Sequence, residues 1–158
     1  MVKRESILIT GGLLVTMDPQ RRVLPGSLYL EDGRIREVDS RRQTADRVLD
    51  ARGMLVLPGF VQTHVHLCQA LFRGLADDVD VVDWLKGRIW PLESAHDDDS
   101  IHASARLAMA ELLAGGTTTA LTMESARHTD AVFAAVEAMG LRTVTGSAMM
   151  DVVEPGTE

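Results

Sequence analysis

Thr63-His64-Val65-His66-Leu67 closes the apolar run Met54-Leu55-Val56-Leu57-Pro58-Gly59-Phe60-Val61. In a strand, residues two apart point to the same side, so this spacing aims both imidazoles at one point just beyond the strand end. Neutral imidazole nitrogens suit Zn²⁺ or Fe²⁺. A catalytic site of that kind takes a third protein ligand and leaves one position open for water or substrate. His64 and His66 would be half of such a site; without their surroundings they read equally well as two polar residues at a strand end. Cys68 shares their parity and would turn its thiolate to the same point if the strand ran that far, whereas a free cysteine most often packs in a core.

Other residues join this pair as candidates by position. Glu93, in Trp90-Pro91-Leu92-Glu93, falls in the long loop expected after the strand, where a carboxylate stands beside a bulky aromatic and a proline. Glu124 and His128 follow the next expected strand and are candidates for the same mouth, against the alternative of a solvated loop. Trp84 and Trp90 are expected to pack the loop over a pocket. Arg73, in Leu71-Phe72-Arg73-Gly74, is expected to pair with the neighbouring aspartates.

The elements that would position these groups change character near Pro58. Before it, Ile7–Thr10, Leu13–Thr16 and Ser27–Leu30 read as short strands, and Glu31-Asp32-Gly33-Arg34 is a hairpin signal leading into Ile35–Val38. After it, strands over Gly59–His64, Thr117–Thr122 and Leu141–Gly146 alternate with helices within Asp97–Gly116 and over Thr129–Met139. This is an α/β order that implies βαβ units and a parallel sheet. Ser100 and Thr129 are expected to start the helices, and Gly115-Gly116 and Gly140 to end them. The buried faces are expected to be Ala105, Ala108, Met109 and Leu112 on the first, and Val132, Val136 and Met139 on the second. His64, His66, Glu93, Glu124 and His128 all fall at or beyond the C-terminal ends of the expected strands.

Composition narrows the partners. The 158 residues are 46% hydrophobic and 25% charged, with a formal net charge of −7, and that acidic balance argues against nucleic acid, whose phosphates need clustered Lys and Arg. No run approaches about 18 apolar residues, so no membrane span is expected. Met1-Val2-Lys3-Arg4-Glu5 lacks the apolar core of a signal peptide, and the single Cys68 forms no internal disulfide; both fit a cytoplasmic protein. Val153–Glu158 reads as a polar, turn-rich loop.

Five segments, PGFVQTHVHL, LFRGLADD, DWLKGRIWPLE, ELLAGGTTT and GLRTVTGSAMMD, run in this order. They resemble the amidohydrolase superfamily, and within it the branch of S-adenosylhomocysteine, methylthioadenosine and 5'-deoxyadenosine deaminases and the related triazine chlorohydrolases. The resemblance implies the N-terminal portion of a metal-dependent (β/α)₈ barrel over residues 58–158, preceded by part of a small β-sandwich domain over residues 1–57; because such a barrel takes about 250 residues, the chain is expected to be the N-terminal part of a longer protein. It implies that His64 and His66 hold one divalent metal, Zn²⁺ or Fe²⁺, and that Glu93 binds a small-molecule substrate through its sugar hydroxyls. Further metal ligands and a proton-shuttling Glu would lie beyond Glu158, so no catalytic acid or base is expected within the chain, which alone would be inactive. A homo-oligomer is expected of the complete protein. Ser147 departs from the deaminase pattern, which tends to carry a basic residue there; a serine offers a short neutral hydrogen bond, so a carboxylate-bearing substrate is less well served. With His128, Ser147 completes the candidate substrate contacts.

Overall fold

The computed structural model of the chain describes residues 5–75 and 77–149. The Met1–Arg4 start, Asp151 at the end of the last motif, and the expected loop Val153–Glu158 lie outside the described residues. The chain divides into two compact units, Met1–Pro58 and Gly59–Glu158.

The first unit is one mixed sheet. Its strands are β1 (Ser6–Val15), β2 (Val23–Glu31), β3 (Arg34–Val38), β4 (Arg47–Asp50) and β5 (Leu55–Val56), in the order β3-β2-β1-β4 with β5 also paired to β1. The sequence reading split β1 at Gly11-Gly12, but the chain runs straight through. Gly11 adopts φ +70 and the β1–β2 register shifts between Ile9 and Gly12, so the glycines form a bulge rather than a turn. A Cβ on Gly12 would stand 2.6 Å from Val56 Cγ2, a second reason for glycine there. Asp32 and Gly33, at φ 53 and 70, make the expected tight β2–β3 hairpin. Among the described residues of the first unit, Leu8, Leu14, Tyr29 and Ala51 are the buried apolar ones.

The second unit is α/β. Three strands, β6 (Phe60–Val65), β7 (Thr117–Glu124) and β8 (Arg142–Ser147), form a parallel sheet in chain order. A 3-10 turn, Leu67–Phe72, leaves β6. A continuous helical stretch follows: α1 (Val81–Trp84), a π-helical turn (Leu85–Ile89) and α2 (Trp90–Ser94). Pro91 has no N–H to return to the Gly87 carbonyl and its ring crowds that carbonyl, which accounts for the widened turn just before it. Two longer helices, α3 (Asp98–Ala114) and α4 (Thr129–Met139), complete the unit.

The start of α3 differs in detail from expectation. Asp97 caps it by accepting the Ser100 N–H, and Ser100 Oγ accepts the Asp97 N–H in return, so Ser100 is the third helical residue of a capping box. That hydrogen bonding holds the Asp97 carboxyl below its usual range. At α4 the residue before the helix is His128, in the left-handed conformation, and Thr129 is already helical. Gly140 ends α4 at φ 69, as expected.

The core lies between the sheet and the two helices, where Leu67, Ile101, Met109, Ala120, Val132 and Leu141 cluster. Full burial of a large aliphatic side chain contributes about 1.5–3 kcal/mol. α3 buries Ile101, Ser104, Ala105, Ala108 and Met109, with Leu112 only half-buried; α4 buries Val132 and Ala135, with Val136 and Met139 packed at the margin. The opposite face of the sheet is apolar but uncovered: Phe60, Val61, Leu121 and Val144 are 49–65% exposed. Among the described residues no helix is long and apolar enough to cross a membrane.

Candidate metal centre

β6 ends at Val65, which pairs with Thr122 and packs against the core. Its neighbours His64 and His66 therefore turn the other way, and His66 keeps an extended backbone (φ −113, ψ 107), so the strand alternation carries through it. The ring centroids of His64 and His66 lie 5.1 Å apart with the planes at 84°. Two imidazoles sharing one tetrahedral ion at metal–nitrogen distances of about 2.0–2.1 Å bring their centroids to about 5 Å, so the pair fits a single divalent metal. The Nδ1 of His66 bonds the Met123 carbonyl oxygen. A carbonyl only accepts, so Nδ1 is the donor here, and in the neutral imidazole Nε2 then carries the lone pair, the arrangement that buttresses metal-ligating histidines. Among the described residues no group of three His, Cys, Asp or Glu assembles to hold an ion.

The turn after His66 is held from three sides. Glu124, the last residue of β7 and fully buried, accepts the Leu67 and Cys68 N–H groups at 3.2 and 2.9 Å. Ser104 Oγ lies 2.9 Å from the carbonyl oxygens of both residues, and His96 Nε2 donates to the Cys68 oxygen at 2.9 Å. Glu124 therefore faces the turn rather than an open mouth. Cys68 does not join the histidines: the strand stops at Val65, and the thiol packs into the core at 0% exposure. Burial first, and then the Glu124 charge, push that thiol up to about 12.

Glu93 stands on α2 rather than in a loop and is 4% exposed. Its Oε1 accepts Ser125 Oγ at 2.5 Å and Gln69 Nε2 at 2.8 Å, with Cys68 Sγ at 3.9 Å. These bonds bring it to the segment that directly follows the two histidines. His128 is exposed and donates from Nδ1 to Asp98 Oδ1 at 2.6 Å, tying the β7–α4 loop to the start of α3. Ser147 is exposed at the end of β8, in register with Glu124. Trp84 and Trp90 are both half-buried. Arg73 pairs not with the aspartates of its own motif but bidentately with Glu111 of α3, at 2.7 and 2.9 Å, because the 3-10 turn packs along that helix. A concavity of about 390 Å³ opens beside His64, lined by Thr63, Val65, Leu121, Thr122, Met123, Val144, Thr145 and Gly146.

Gln69, His96, Ser104 and Ser125 were not singled out from the sequence. Only Ser104 carried a signal: it is a polar residue on the otherwise apolar stripe of Ile101, Ala105 and Ala108.

The amidohydrolase family matches residues 55–155. The chain is 42% identical over 149 residues to the 5'-deoxyadenosine deaminase of Methanothermobacter thermautotrophicus, covering 93% of this chain and 34% of that protein. It is 37% identical over 158 residues to the 5-methylthioadenosine/S-adenosylhomocysteine deaminase of Syntrophobacter fumaroxidans, covering 96% and 36%. In three dimensions it is similar to an atrazine chlorohydrolase from Arthrobacter aurescens complexed with zinc, with a TM-score of 0.82, 27% identity, and coverage of 93% of this chain and 36% of that one. The chain spans about a third of the length of the curated relatives it matches.

Proposed function

The chain belongs to the amidohydrolase family, and from that premise we propose that it is part of a metal-dependent aminohydrolase that deaminates an adenosine-like nucleoside. The observation that carries this reading is the pair of imidazoles 5.1 Å apart at the exit of a parallel strand, one of them buttressed by a backbone carbonyl. Names carried by relatives 37–42% identical to this chain supply the substrate class.

His64 and His66 would hold the ion, Zn²⁺ in first place and Fe²⁺ as the alternative; the zinc bound by the chlorohydrolase supports that order. When bound, such an ion supplies the Lewis acidity that makes water a competent nucleophile near neutral pH. The chain's own residues bind and orient. Met123 fixes the tautomer of His66, and Glu124 fixes the turn that follows. Glu93 accepts hydrogen bonds from the sugar hydroxyls, and Ser147 and His128 border the substrate from the ends of β8 and β7. Water replaces the ring amine, ammonia leaves, and a ring carbonyl remains. The remaining metal ligands and the glutamate that moves protons belong to a protein of the relatives' full length, in which the second unit forms the first part of a (β/α)₈ barrel and the first unit part of a β-sandwich. We infer a cytoplasmic homo-oligomer, the compartment resting on the single buried cysteine and the assembly on the family resemblance.

The likeness to the atrazine chlorohydrolase favours a second reading, in which the same activated water displaces chloride or an alkylamine from a triazine. Absorbance assays of the full-length protein separate the two. The nucleoside reading expects turnover of 5'-deoxyadenosine and methylthioadenosine, with S-adenosylhomocysteine a poorer substrate because Ser147 offers its carboxylate no cation. Turnover of a chlorotriazine without any of the nucleosides would overturn it, and a strong preference for S-adenosylhomocysteine would overturn the role given to Ser147.

A further inference from the structure

Three consecutive residues at the exit of β7 grip three parts of the site. The Met123 oxygen takes His66 Nδ1, the Glu124 carboxylate takes the Leu67 and Cys68 N–H groups, and Ser125 Oγ donates to Glu93 Oε1 at 2.5 Å. The first two hold the metal-binding turn. The third reaches a different group on a different element, 32 residues away in sequence.

The bonds on Glu93 are one-sided. Ser125, Gln69 and the weak Cys68 thiol donor all converge on Oε1, and among the described residues Oε2 accepts no hydrogen bond. The terminal torsion of a glutamate is broad and has little preference of its own, so an unheld carboxylate would rotate. Two good donors on one oxygen fix its plane and leave the other oxygen aimed elsewhere. The donors are not equivalent. Gln69 reaches Oε1 through a long flexible side chain that can follow the carboxylate, whereas Ser125 has a single torsion and follows directly on the last residue of β7. A carboxylate oxygen held in this way is preorganised to accept from the O–H groups of a vicinal diol, so its ordering cost is met before binding.

We propose that Ser125 is a positioning residue that locks Glu93 through Oε1 and so presents Oε2 to the 2' and 3' hydroxyls of the nucleoside sugar. This rests on the reading of Glu93 as the acceptor for the sugar. Ser125 acts through Glu93 and not on the ring, so its removal weakens binding of the nucleoside and spares both the free base and the chemical step.

The test uses the full-length enzyme with 5'-deoxyadenosine as substrate and adenine as competitive inhibitor. Ser125→Ala is expected to raise KM for the nucleoside about tenfold, with kcat and the adenine inhibition constant each changing less than about twofold. Ser125→Thr, which keeps the hydroxyl, restores KM; in a Glu93→Ala background, Ser125→Ala adds nothing, because the residue it positions is gone. If Glu93→Ala weakens nucleoside and adenine equally, the sugar reading of Glu93 fails, and the proposal with it. If Glu93→Ala is selective for the nucleoside while Ser125→Ala leaves KM unchanged, or if the two effects add, the proposal fails and the reading of Glu93 stands. Should Ser125→Ala not fold, Ser125→Cys, a weaker donor of similar shape, decides the matter in the same assay: a selective rise in KM supports the lock and an unchanged KM overturns it.

Discussion

At the scale of single residues, one proton sets what the histidine pair can do. The Met123 carbonyl commits Nδ1 of His66 to donation, which in the neutral imidazole leaves Nε2 as the nitrogen that would bind the proposed metal. The His-x-His spacing was legible because strand alternation makes residues two apart neighbours on one side, and the alternation holds through His66. The surroundings of Glu93 were not legible. Its donors, Gln69 and Ser125, lie 24 and 32 residues away, and a lone carboxylate carries no spacing that points to them. Cys68 was read two ways, as a third ligand by parity or as a packed thiol by residue type, and the structure takes the second because the backbone turns into the 3-10 segment before it. With its thiol fully buried and pushed up to about 12, Cys68 is expected to resist a disulfide reagent in the folded protein and to react at once in denaturant. Labelling of the folded protein at the denatured rate would contradict that placement.

At the scale of elements, β7 does more than sit in the middle of the sheet. Its exit residues cross-link the turn after β6, and Glu124 carries most of that connection by satisfying two buried N–H groups at once. Each orphaned buried N–H costs about 1–3 kcal/mol. Glu124→Ala is therefore expected to lower stability by about 2–6 kcal/mol in a urea titration, whereas Ser147→Ala, at an exposed strand end, stays within about 0.5 kcal/mol. Equal midpoints for the two variants would remove Glu124 from this role. Element type and order in the second unit followed from apolar periodicity and the glycine stops, and the three strands and two long helices lie close to where the pattern put them. The differences are local and physical. A glycine pair that reads as a break serves as a bulge, an aspartate just outside α3 takes the cap, and Pro91 sits in a helix widened just before it rather than in a loop.

At the scale of the whole molecule, a parallel sheet ordinarily carries cover on both faces, and here the helices pack on one. Phe60, Val61, Leu121 and Val144 form the bare face, and the concavity beside His64 opens on the same sheet. The sequence left this bare face unread, since strand patterns alone do not say what covers them. The central claim is that this half-site holds a divalent metal, and metal content tests it most directly. Elemental analysis of the full-length protein is expected to find about one Zn²⁺ or Fe²⁺ per chain, and His66→Ala is expected to lose most of it, because removing one imidazole from so small a ligand set weakens the site directly. Undiminished metal in His66→Ala, with the protein still folded, would contradict the account.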